Sequence, residues 1–286
     1  MTANANDSAS EPRVGVVIPV YNTGSMALGA ARSARRALGG TANIVVVDDG
    51  STDRSTRRAL STLAAEGFWV IRQPNAGVSA ARNAGIAQLA TPYVVALDSD
   101  DEMLPGVSTR MADLLEASPE AAVVSGGGIE MSGGIEISGA RRAEPVRTPQ
   151  PVTRCAMRNG SLLATASMFR RRDWEAVGGF PEGLAIGEDW VFWMRLLRDD
   201  GEVLSVDEPI VRRHLGRHQA THGYIDLRHS AAARAMILRE HPDLFTDSPD
   251  ELLERTIAAE QLLAEYRHAY RHVDRAKRSL RRLLRR

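Results

Sequence analysis

The sequence predicts an α/β fold in which a parallel sheet occupies the first hundred residues. Short runs rich in Val and Ile alternate with segments of helical periodicity, and polar residues follow these runs. The predicted elements, beginning with a strand and alternating, are Val14–Val20, Met26–Leu38, Ile44–Val47, Thr56–Ala65, Phe68–Arg72, Val78–Leu89 and Tyr93–Leu97. Strands separated by helices of this length form βαβ crossovers, which make the four strands parallel.

The chain beyond Pro105 is less regular and predicts a mixed sheet flanked by helices. The expected helices are Val107–Ala117, Arg172–Val177 and Asp189–Arg198, and the expected strands are Ala121–Ser125, Ala166–Phe169, Glu202–Val206 and Ile210–Arg213. A near-duplication within residues 126–139, GGIEMS followed by GGIEIS, predicts a hairpin or two edge strands. From Tyr224 onward the pattern is almost wholly helical, which predicts a helical C-terminal extension.

Composition narrows the class of protein. The chain has 286 residues, of which 43% are hydrophobic, and its single cysteine excludes an intrachain disulfide and a cysteine-rich zinc site. We expect Cys155 to be a small buried residue rather than a nucleophile. No apolar run approaches the roughly 18 residues that span a bilayer, and the polar start lacks the apolar region of a signal peptide. We therefore expect a cytoplasmic protein, at most peripheral to a membrane.

Charge is unevenly distributed, although the formal net charge is zero. Residues 267–286 contain nine Lys or Arg against one acid, a local charge of +8. A basic amphipathic helix can lie on an anionic membrane surface, and it can also pack on its own domain or on a second copy in a homodimer. Nucleic acid is not an expected partner, because the basic tail lacks interleaved aromatics and no nucleic-acid-binding motif is present.

The most informative segment is the acidic end of the fourth predicted strand. Val94–Leu97 runs directly into Asp98, Ser99, Asp100 and Asp101. Unpaired acids are costly in a core, so these must emerge at the carboxyl edge of the sheet, where α/β folds bind ligands. Asp98 and Asp100 can face one hard cation such as Mg²⁺ or Mn²⁺, with Asp101 as a third donor. A solvated acidic turn is the alternative interpretation.

Other strand ends carry residues suited to a nucleotide. Tyr21, after Pro19 and the first strand, can stack on a base, and Asp49, after the second, can accept the imide N–H of a uracil ring. Alternatively, Tyr21 caps a strand, and Asp49 and Asp53 are ordinary turn and N-cap residues. The first loop has no Gly-x-Gly-x-x-Gly, which argues against a dinucleotide site of that kind.

The helix predicted at 78–89 opens with Asn75-Ala76-Gly77. Free backbone N–H groups at a helix start, together with Arg82 one turn in, can lie near a pyrophosphate. Arg82 could instead be a solvated helix arginine.

Together these motifs resemble the family 2 glycosyltransferases of GT-A fold. The matching segments, which cover about Val14 to His222, are VIPVYN at 17–22, VDDGSTD at 47–53, NAG at 75–77, ARN at 81–83, LDSDD at 97–101, GGF at 178–180 and GEDW at 187–190. The resemblance implies inverting transfer from a nucleoside diphosphate sugar, most often a UDP-sugar. Processive members of this family typically carry membrane-spanning helices and a Gln-x-x-Arg-Trp segment, and this sequence shows neither. The resemblance therefore implies transfer of a single sugar per event.

The resemblance also implies residue roles. It implies that Tyr21 and Asp49 bind the nucleotide base, that Asp98 and Asp100 bind ribose and metal, and that Asp101 binds metal. It implies that Asp189 is the general base. The expected nucleotide-sugar-binding set is Pro19, Tyr21, Asp49, Asn75, Gly77, Arg82, Asp98, Ser99, Asp100 and Glu188, and the expected ligands of Mn²⁺ or Mg²⁺ are Asp100, Asp101 and His214.

Two of these assignments have rivals within the sequence. Inversion requires a general base on the face of the sugar opposite the leaving diphosphate, and Asp189 is assigned this role. The adjacent Glu188 is the rival candidate, and Asp189 could instead be a helix N-cap. His214 matches a family position that contacts metal or diphosphate. The serine expected after it is absent, and His218 and His222 lie nearby, so these could be surface histidines of a basic loop.

The expected organisation is a disordered leader at 1–12, a nucleotide-sugar-binding half at 13–105, an acceptor-binding half with the base at 106–222, and a basic helical extension at 223–286. The acceptor is either a lipid-linked saccharide in polysaccharide or glycolipid assembly, or a soluble or carrier-bound small molecule of secondary metabolism. Competing functions are a sugar-1-phosphate nucleotidyltransferase, whose Gly-rich first loop is missing here, and a non-catalytic nucleotide-sugar-binding protein.

Overall fold

The structure is a computed structural model that describes residues 12–132, 135–136, 152–198, 201–215 and 230–245. The leader at 1–11 and the basic tail from 246 onward lie outside these ranges, so the interpretations of both remain predictions. Chain contacts define one compact unit that ends at Glu240 and a second that begins at His241. Of the second unit, the structure describes His241 and a 3₁₀ turn at Pro242–Phe245.

The first half is the predicted βαβ arrangement. Its elements are β1 (Val14–Val20), α1 (Met26–Leu38), β2 (Ile44–Asp49), α2 (Arg54–Ala65), β3 (Trp69–Gln73), α3 (Val78–Ile86) and β4 (Tyr93–Ala96). The strands are parallel in the order β3-β2-β1-β4. Asp53 is the N-cap of α2 and accepts the N–H groups of Ser55 and Thr56, as expected for an Asp at that position.

The second half extends the same sheet. Its elements are β5 (Asp101–Met103), α4 (Ser108–Ala117), β6 (Ala121–Ser132), β7 (Ile135–Glu136), α5 (Arg154–Met157), β8 (Met168–Arg170), α6 (Arg171–Ala176), α7 (Glu188–Leu196), β9 (Glu202–Leu215) and α8 (Ala231–Glu240). From β4 the order continues β8-β6-β9-β5, and β7 pairs with β6. Because β8 is antiparallel to β4 and β5 to β9, the sheet is mixed, and the two expected halves share it.

Three strands differ from the expectation. The two strands predicted at 202–213 are one strand, β9, whose register against β6 shifts around Gly126–Gly128, opposite Val206–Val211. Pro209 lies in this irregular stretch, where a residue without an N–H is tolerated. β6 continues to Ser132, so the first GGIEMS copy lies inside the sheet and turns back into β7 as a hairpin. The sequence does not predict β5, because the acidic segment is interpreted as a metal-binding edge that follows the fourth strand, or as a solvated turn.

Both faces of the parallel half are covered by helices, which explains the uninterrupted apolar run of β1. Val16 and Ile18 belong to a cluster with alanines of α1. Val17 faces the other way, toward α3, where a Cβ added at Gly85 would lie 2.3 Å from Val17 Cγ2. The glycine therefore lets α3 rest directly on β1. Within the described segments, no helix is both long and apolar enough to cross a bilayer.

Candidate functional site

The first two loops at the carboxyl edge are fixed to each other. Asn22, which has a left-handed backbone (φ 53°), accepts the N–H groups of Thr52 and Asp53 at 2.9 and 3.0 Å. This anchor leaves the neighbouring Tyr21 49% exposed, so its ring is available to a flat ligand at this edge. Pro19 lies buried within β1, paired in register with Val47, and contributes to the edge through its position in the sheet.

Asp49, which is expected to bind the nucleotide base, also holds the loop that precedes α3. Its buried carboxylate accepts hydrogen bonds from Gln73 Nε2 (2.8 Å) and from the backbone N–H groups of Ala76 and Gly77 (both 2.9 Å). The Asn75–Gly77 loop is therefore held by Asp49, and two N–H groups expected to serve a pyrophosphate are engaged by this carboxylate. A carboxylate has about four acceptor sites, so Asp49 keeps capacity for a ligand N–H.

Arg82 lies at the centre of the site. It is 2% exposed, so the solvated-arginine interpretation is wrong. Its guanidinium donates to Asp98 Oδ1 at 2.7 Å and to Glu188 Oε1 at 2.8 Å, and it stands 5.1 Å from the centroid of the Phe180 ring. Burial opposes its charge, but Asp98 and Glu188 outweigh burial and raise the Arg82 pKa above its ordinary value. One arginine thus joins the end of β4 to the start of α7.

The acidic segment is compact and partly buried. Ser99 and Asp101 are buried, while Asp98 and Asp100 keep partial exposure. Burial, reinforced by the charges of Asp98 and Asp100, raises the Asp101 pKa well above its usual range. Its carboxylate accepts the backbone N–H of His214 at 3.3 Å. A cluster of carboxylates that disfavour one another's charge is a surrounding in which a cation would be stabilising.

His214 does not join Asp101 through its ring. Asp101 pairs with Arg213 and Glu102 with Arg212 in the β5–β9 ladder, and His214 Nε2 lies 3.3 Å from Glu102 Oε1. Because side chains alternate along a strand, the His214 ring and the Asp101 carboxylate lie on opposite faces. In the part of the chain that the structure describes, no three His, Cys, Asp or Glu side chains converge on one metal position. His218 and His222 lie outside that part.

The start of α7 carries the candidate base. Gly187 occupies the N-cap with φ 85°, so Asp189 is not the cap, although its Oδ1 accepts the Trp190 N–H at 2.8 Å. Asp189 keeps some exposed surface but is closely surrounded by protein. That burial and the adjacent Glu188 raise its pKa to about 7. Asp189 is therefore easier to protonate than an ordinary aspartate, as suits a group that takes up a proton near neutrality.

Asn83 is a residue whose importance sequence reasoning missed. Its Oδ1 accepts the Phe180 N–H (2.8 Å) and the Trp174 indole N–H (3.1 Å), and its Nδ2 donates to the Phe180 carbonyl (2.9 Å). The sequence shows the ARN and GGF segments, but their order along the chain does not reveal that they contact each other. Cys155 is exposed on α5, contrary to expectation, because Met157 takes the buried position of that short helix.

Comparison with known proteins identifies the family. The family model described as Glycosyl transferase family 2 matches residues 15–176. "Uncharacterized glycosyltransferase YibD" of Escherichia coli K12 is 34% identical over 117 residues, 40% of this chain and 33% of that protein. "Succinoglycan biosynthesis protein ExoO" of Rhizobium meliloti is 32% identical over 107 residues, 37% of this chain and 31% of that protein. The matched segments thus span about a third of the length of these two relatives.

The fold has a solved counterpart. The crystal structure of Staphylococcus aureus TarS 1-349 in complex with UDP-GlcNAc superposes with a TM-score of 0.57 and 19% identity, covering 72% of this chain and 60% of that one. The match confirms the predicted GT-A fold. The matched family range ends before α7 and does not include Asp189, whose role as general base remains a prediction. Since the range nevertheless covers more than half of the 286 residues, this protein belongs to glycosyltransferase family 2.

Proposed function

We propose that the protein transfers a single sugar, of hexosyl or N-acetylhexosaminyl type, from a UDP-sugar to an acceptor hydroxyl with inversion. The observation that carries the proposal is the Asp98–Arg82–Glu188 ion-pair network, which brings the donor-binding edge and the start of α7 together. The UDP-GlcNAc in the TarS structure supports the choice of nucleotide. Tyr21 and Asp49 would hold the nucleotide base, and Asn75–Gly77 would border the rest of the nucleotide.

Asp189 is a better candidate for the general base than Glu188. Glu188 is committed to Arg82 at 2.8 Å, whereas Asp189 accepts a hydrogen bond from the Trp190 backbone. In a single displacement the base removes the acceptor proton as the hydroxyl oxygen attacks the anomeric carbon and the bond to the UDP oxygen breaks. The raised pKa of Asp189 makes it a stronger proton acceptor once it is ionised.

The carboxylates of the acidic segment fit Mn²⁺ or Mg²⁺. Hard cations of this kind are commonly held by one or two carboxylates, with substrate phosphates completing the shell, so three converging side chains are not required. Asp100 and Asp101 are the residues that would hold the ion, while Asp98 is paired with Arg82. The third ligand expected from the sequence, His214, has its ring beside Glu102, on the opposite face of the β5–β9 ladder from the Asp101 carboxylate. Such an ion supplies electrostatic stabilisation of the departing diphosphate.

Asp100→Ala tests the metal assignment. We expect it to weaken Mn²⁺ binding and UDP binding together, each by about tenfold or more. The Asp100 carboxylate would bind the ion directly, and the ion would in turn bind the diphosphate of UDP. Calorimetric titration of Mn²⁺ alone, and of UDP with and without Mn²⁺, measures the two effects. Asp113→Ala, which removes an exposed acid of α4 that pairs with Arg13, is the matched control. Unchanged Mn²⁺ affinity in Asp100→Ala would exclude Asp100 as a ligand.

The acceptor we propose is a lipid-linked saccharide in polysaccharide or glycolipid assembly, at the cytoplasmic face of a membrane. The name of ExoO, a succinoglycan biosynthesis protein, and the basic tail both favour it over a soluble or carrier-bound small molecule.

Removal of residues 275–286 tests the membrane contact. A polybasic segment gains about 1 kcal/mol per Lys or Arg near an anionic leaflet, so the full chain should sediment with anionic liposomes at low salt and the shortened chain should not. Neutral liposomes and high salt are the controls. Absence of binding at every salt concentration would favour the soluble acceptor and a packing or dimer role for the tail.

UDP release from a panel of UDP-sugars, followed by mass spectrometry of the product, tests the function as a whole. Acceptor-dependent release with a product heavier by one sugar residue supports the proposal. Binding of UDP-sugars without acceptor-dependent release for any acceptor pair would instead identify a non-catalytic nucleotide-sugar-binding protein.

A further inference from the structure

Helix α8 packs along α7, the helix that carries Asp189, at both of its ends. At the start of α7, a Cβ added at Gly187 would lie 2.9 Å from the Ala233 Cβ, so α8 rests directly on the N-cap. At the other end, Arg195 forms a bidentate ion pair with Glu240, in which Nε donates to Oε2 at 2.8 Å and Nη2 to Oε1 at 2.7 Å. The family match ends at residue 176, so α8 lies beyond it.

The contact between α8 and α7 that lies nearest Asp189 is made by the Trp190 side chain. This indole is completely buried, and its Nε1 donates to the Met157 carbonyl at 2.7 Å. On its face lies the Arg234 guanidinium, 5.4 Å from the ring centroid. Arg234 is itself held by the Asn159 carbonyl at 3.1 Å and by the Ser230 hydroxyl at 3.3 Å. The indole is therefore fixed at its edge by the last residue of α5 and on its face by α8.

Trp190 is also the direct neighbour of the base. Its backbone N–H donates to Asp189 Oδ1, so the carboxylate takes its orientation from the first turn of α7. That turn follows Gly187 (φ 85°), which lacks a Cβ and therefore restricts the backbone less than any other residue, so packing is needed to hold the turn in one orientation. Ala233 and Arg234 supply such packing from α8.

We propose that Arg234 is a positioning residue that, through Trp190, fixes the first turn of α7 and thereby orients the Asp189 carboxylate. The inference rests on the proposed function for its catalytic consequence. A displacement of about 1 Å in a reacting group can cost about a hundredfold in rate, so a contact that never meets the substrate can still set kcat.

Three variants test this. Arg234→Met keeps a long side chain but loses the charge over the indole and the bonds to the loop, and Arg234→Lys keeps the charge alone. Glu240→Gln weakens the ion pair at the far end of the same two helices and is the matched control. For each we would measure kcat and donor KM by acceptor-dependent UDP release, the thermal unfolding midpoint, and the exchange rate of the Trp190 amide hydrogen.

We expect Arg234→Met to lower kcat by about tenfold, with donor KM within about twofold, because a misoriented Asp189 carboxylate impairs the chemical step and not donor binding. Arg234→Lys should recover part of the loss. The Trp190 amide should exchange fastest in Arg234→Met, and at the wild-type rate in Glu240→Gln. Glu240→Gln should lower the unfolding midpoint while leaving kcat within about twofold.

Equal kcat losses in Arg234→Met and Glu240→Gln would overturn the inference, because any loosening of α8 would then suffice. Unchanged kcat and unchanged Trp190 exchange in Arg234→Met would overturn it as well. If the wild type shows no acceptor-dependent release, the proposed function fails, while amide exchange still reports whether Arg234 holds the turn that orients Asp189.

Discussion

Asp189→Asn should abolish sugar transfer while UDP binding persists. The asparagine retains an oxygen that can accept the Trp190 N–H, so the first turn of α7 is expected to stay in place. What is lost is the proton acceptor, and general base catalysis contributes about 10²- to 10⁴-fold to such reactions. We expect kcat to fall by about that factor, with the Kd of UDP within about twofold of wild type, as measured by UDP release and by calorimetry.

Glu188→Gln is the matched control for the base assignment. It leaves Asp189 intact and replaces an acid that accepts from Arg82 with an amide of the same shape, so we expect a smaller loss, about tenfold in kcat. Near wild-type transfer by Asp189→Asn would show that another group takes the proton. If Glu188→Gln lost as much as Asp189→Asn, Glu188 would become the better candidate.

The pH dependence follows from the same geometry. Burial and the neighbouring Glu188 raise the Asp189 pKa to about 7, and only the ionised carboxylate can accept a proton. Transfer by the wild type should therefore rise with pH through about 7 and level off above it. A raised carboxyl pKa in the folded state means that ionising Asp189 costs stability as pH rises through that pKa. Asp189→Asn should consequently be no less stable than the wild type at pH 8, which separates its inactivity from unfolding.

The sequence predicts those parts of the fold that depend on local patterns. β1 and α1 match their predicted bounds, because a strand covered on both faces is a continuous apolar run and α1 ends at a left-handed Gly39. β5 was harder to predict, because its acids pair with bases of β9. Glu102 and Arg212 form an ion pair across the two strands, so β5 does not show the apolar alternation that marks a half-buried strand.

The site shows the same limit. The residue types at the strand ends and at the GEDW segment were recognisable from the motifs, and the structure brings Asp98, Arg82 and Glu188 into contact. Their pairing was not predictable, because Arg82 and Glu188 lie 106 positions apart. A buried arginine and a solvated one look alike in a helix of Ala, Ser and Asn. Likewise, nothing in the pair Asp48–Asp49 tells that Asp49 holds the loop at 75–77.

Arg82→Met should be among the most destabilising single substitutions in this chain. Arg82 is 2% exposed and neutralises two carboxylates, and removing one partner of a buried ionic network costs about 3–5 kcal/mol because it leaves uncompensated buried charge. We expect the free energy of unfolding at pH 7.5, measured by urea denaturation, to fall by about that amount. Arg110→Met, which breaks an exposed ion pair with Glu208, should cost about 1 kcal/mol or less.

Charge, rather than lost volume, should account for most of this effect. If so, adding Glu188→Gln to Arg82→Met removes one of the stranded carboxylates and should recover about 1–2 kcal/mol, since the two sites are in contact and couple. Arg82→Lys should be intermediate, because one ammonium cannot reproduce both bonds of the guanidinium fork. A cost below about 1 kcal/mol for Arg82→Met, or no recovery in the double variant, would mean that Asp98 and Glu188 reach solvent or other partners without Arg82. The two ion pairs would then not be what holds the end of β4 to the start of α7.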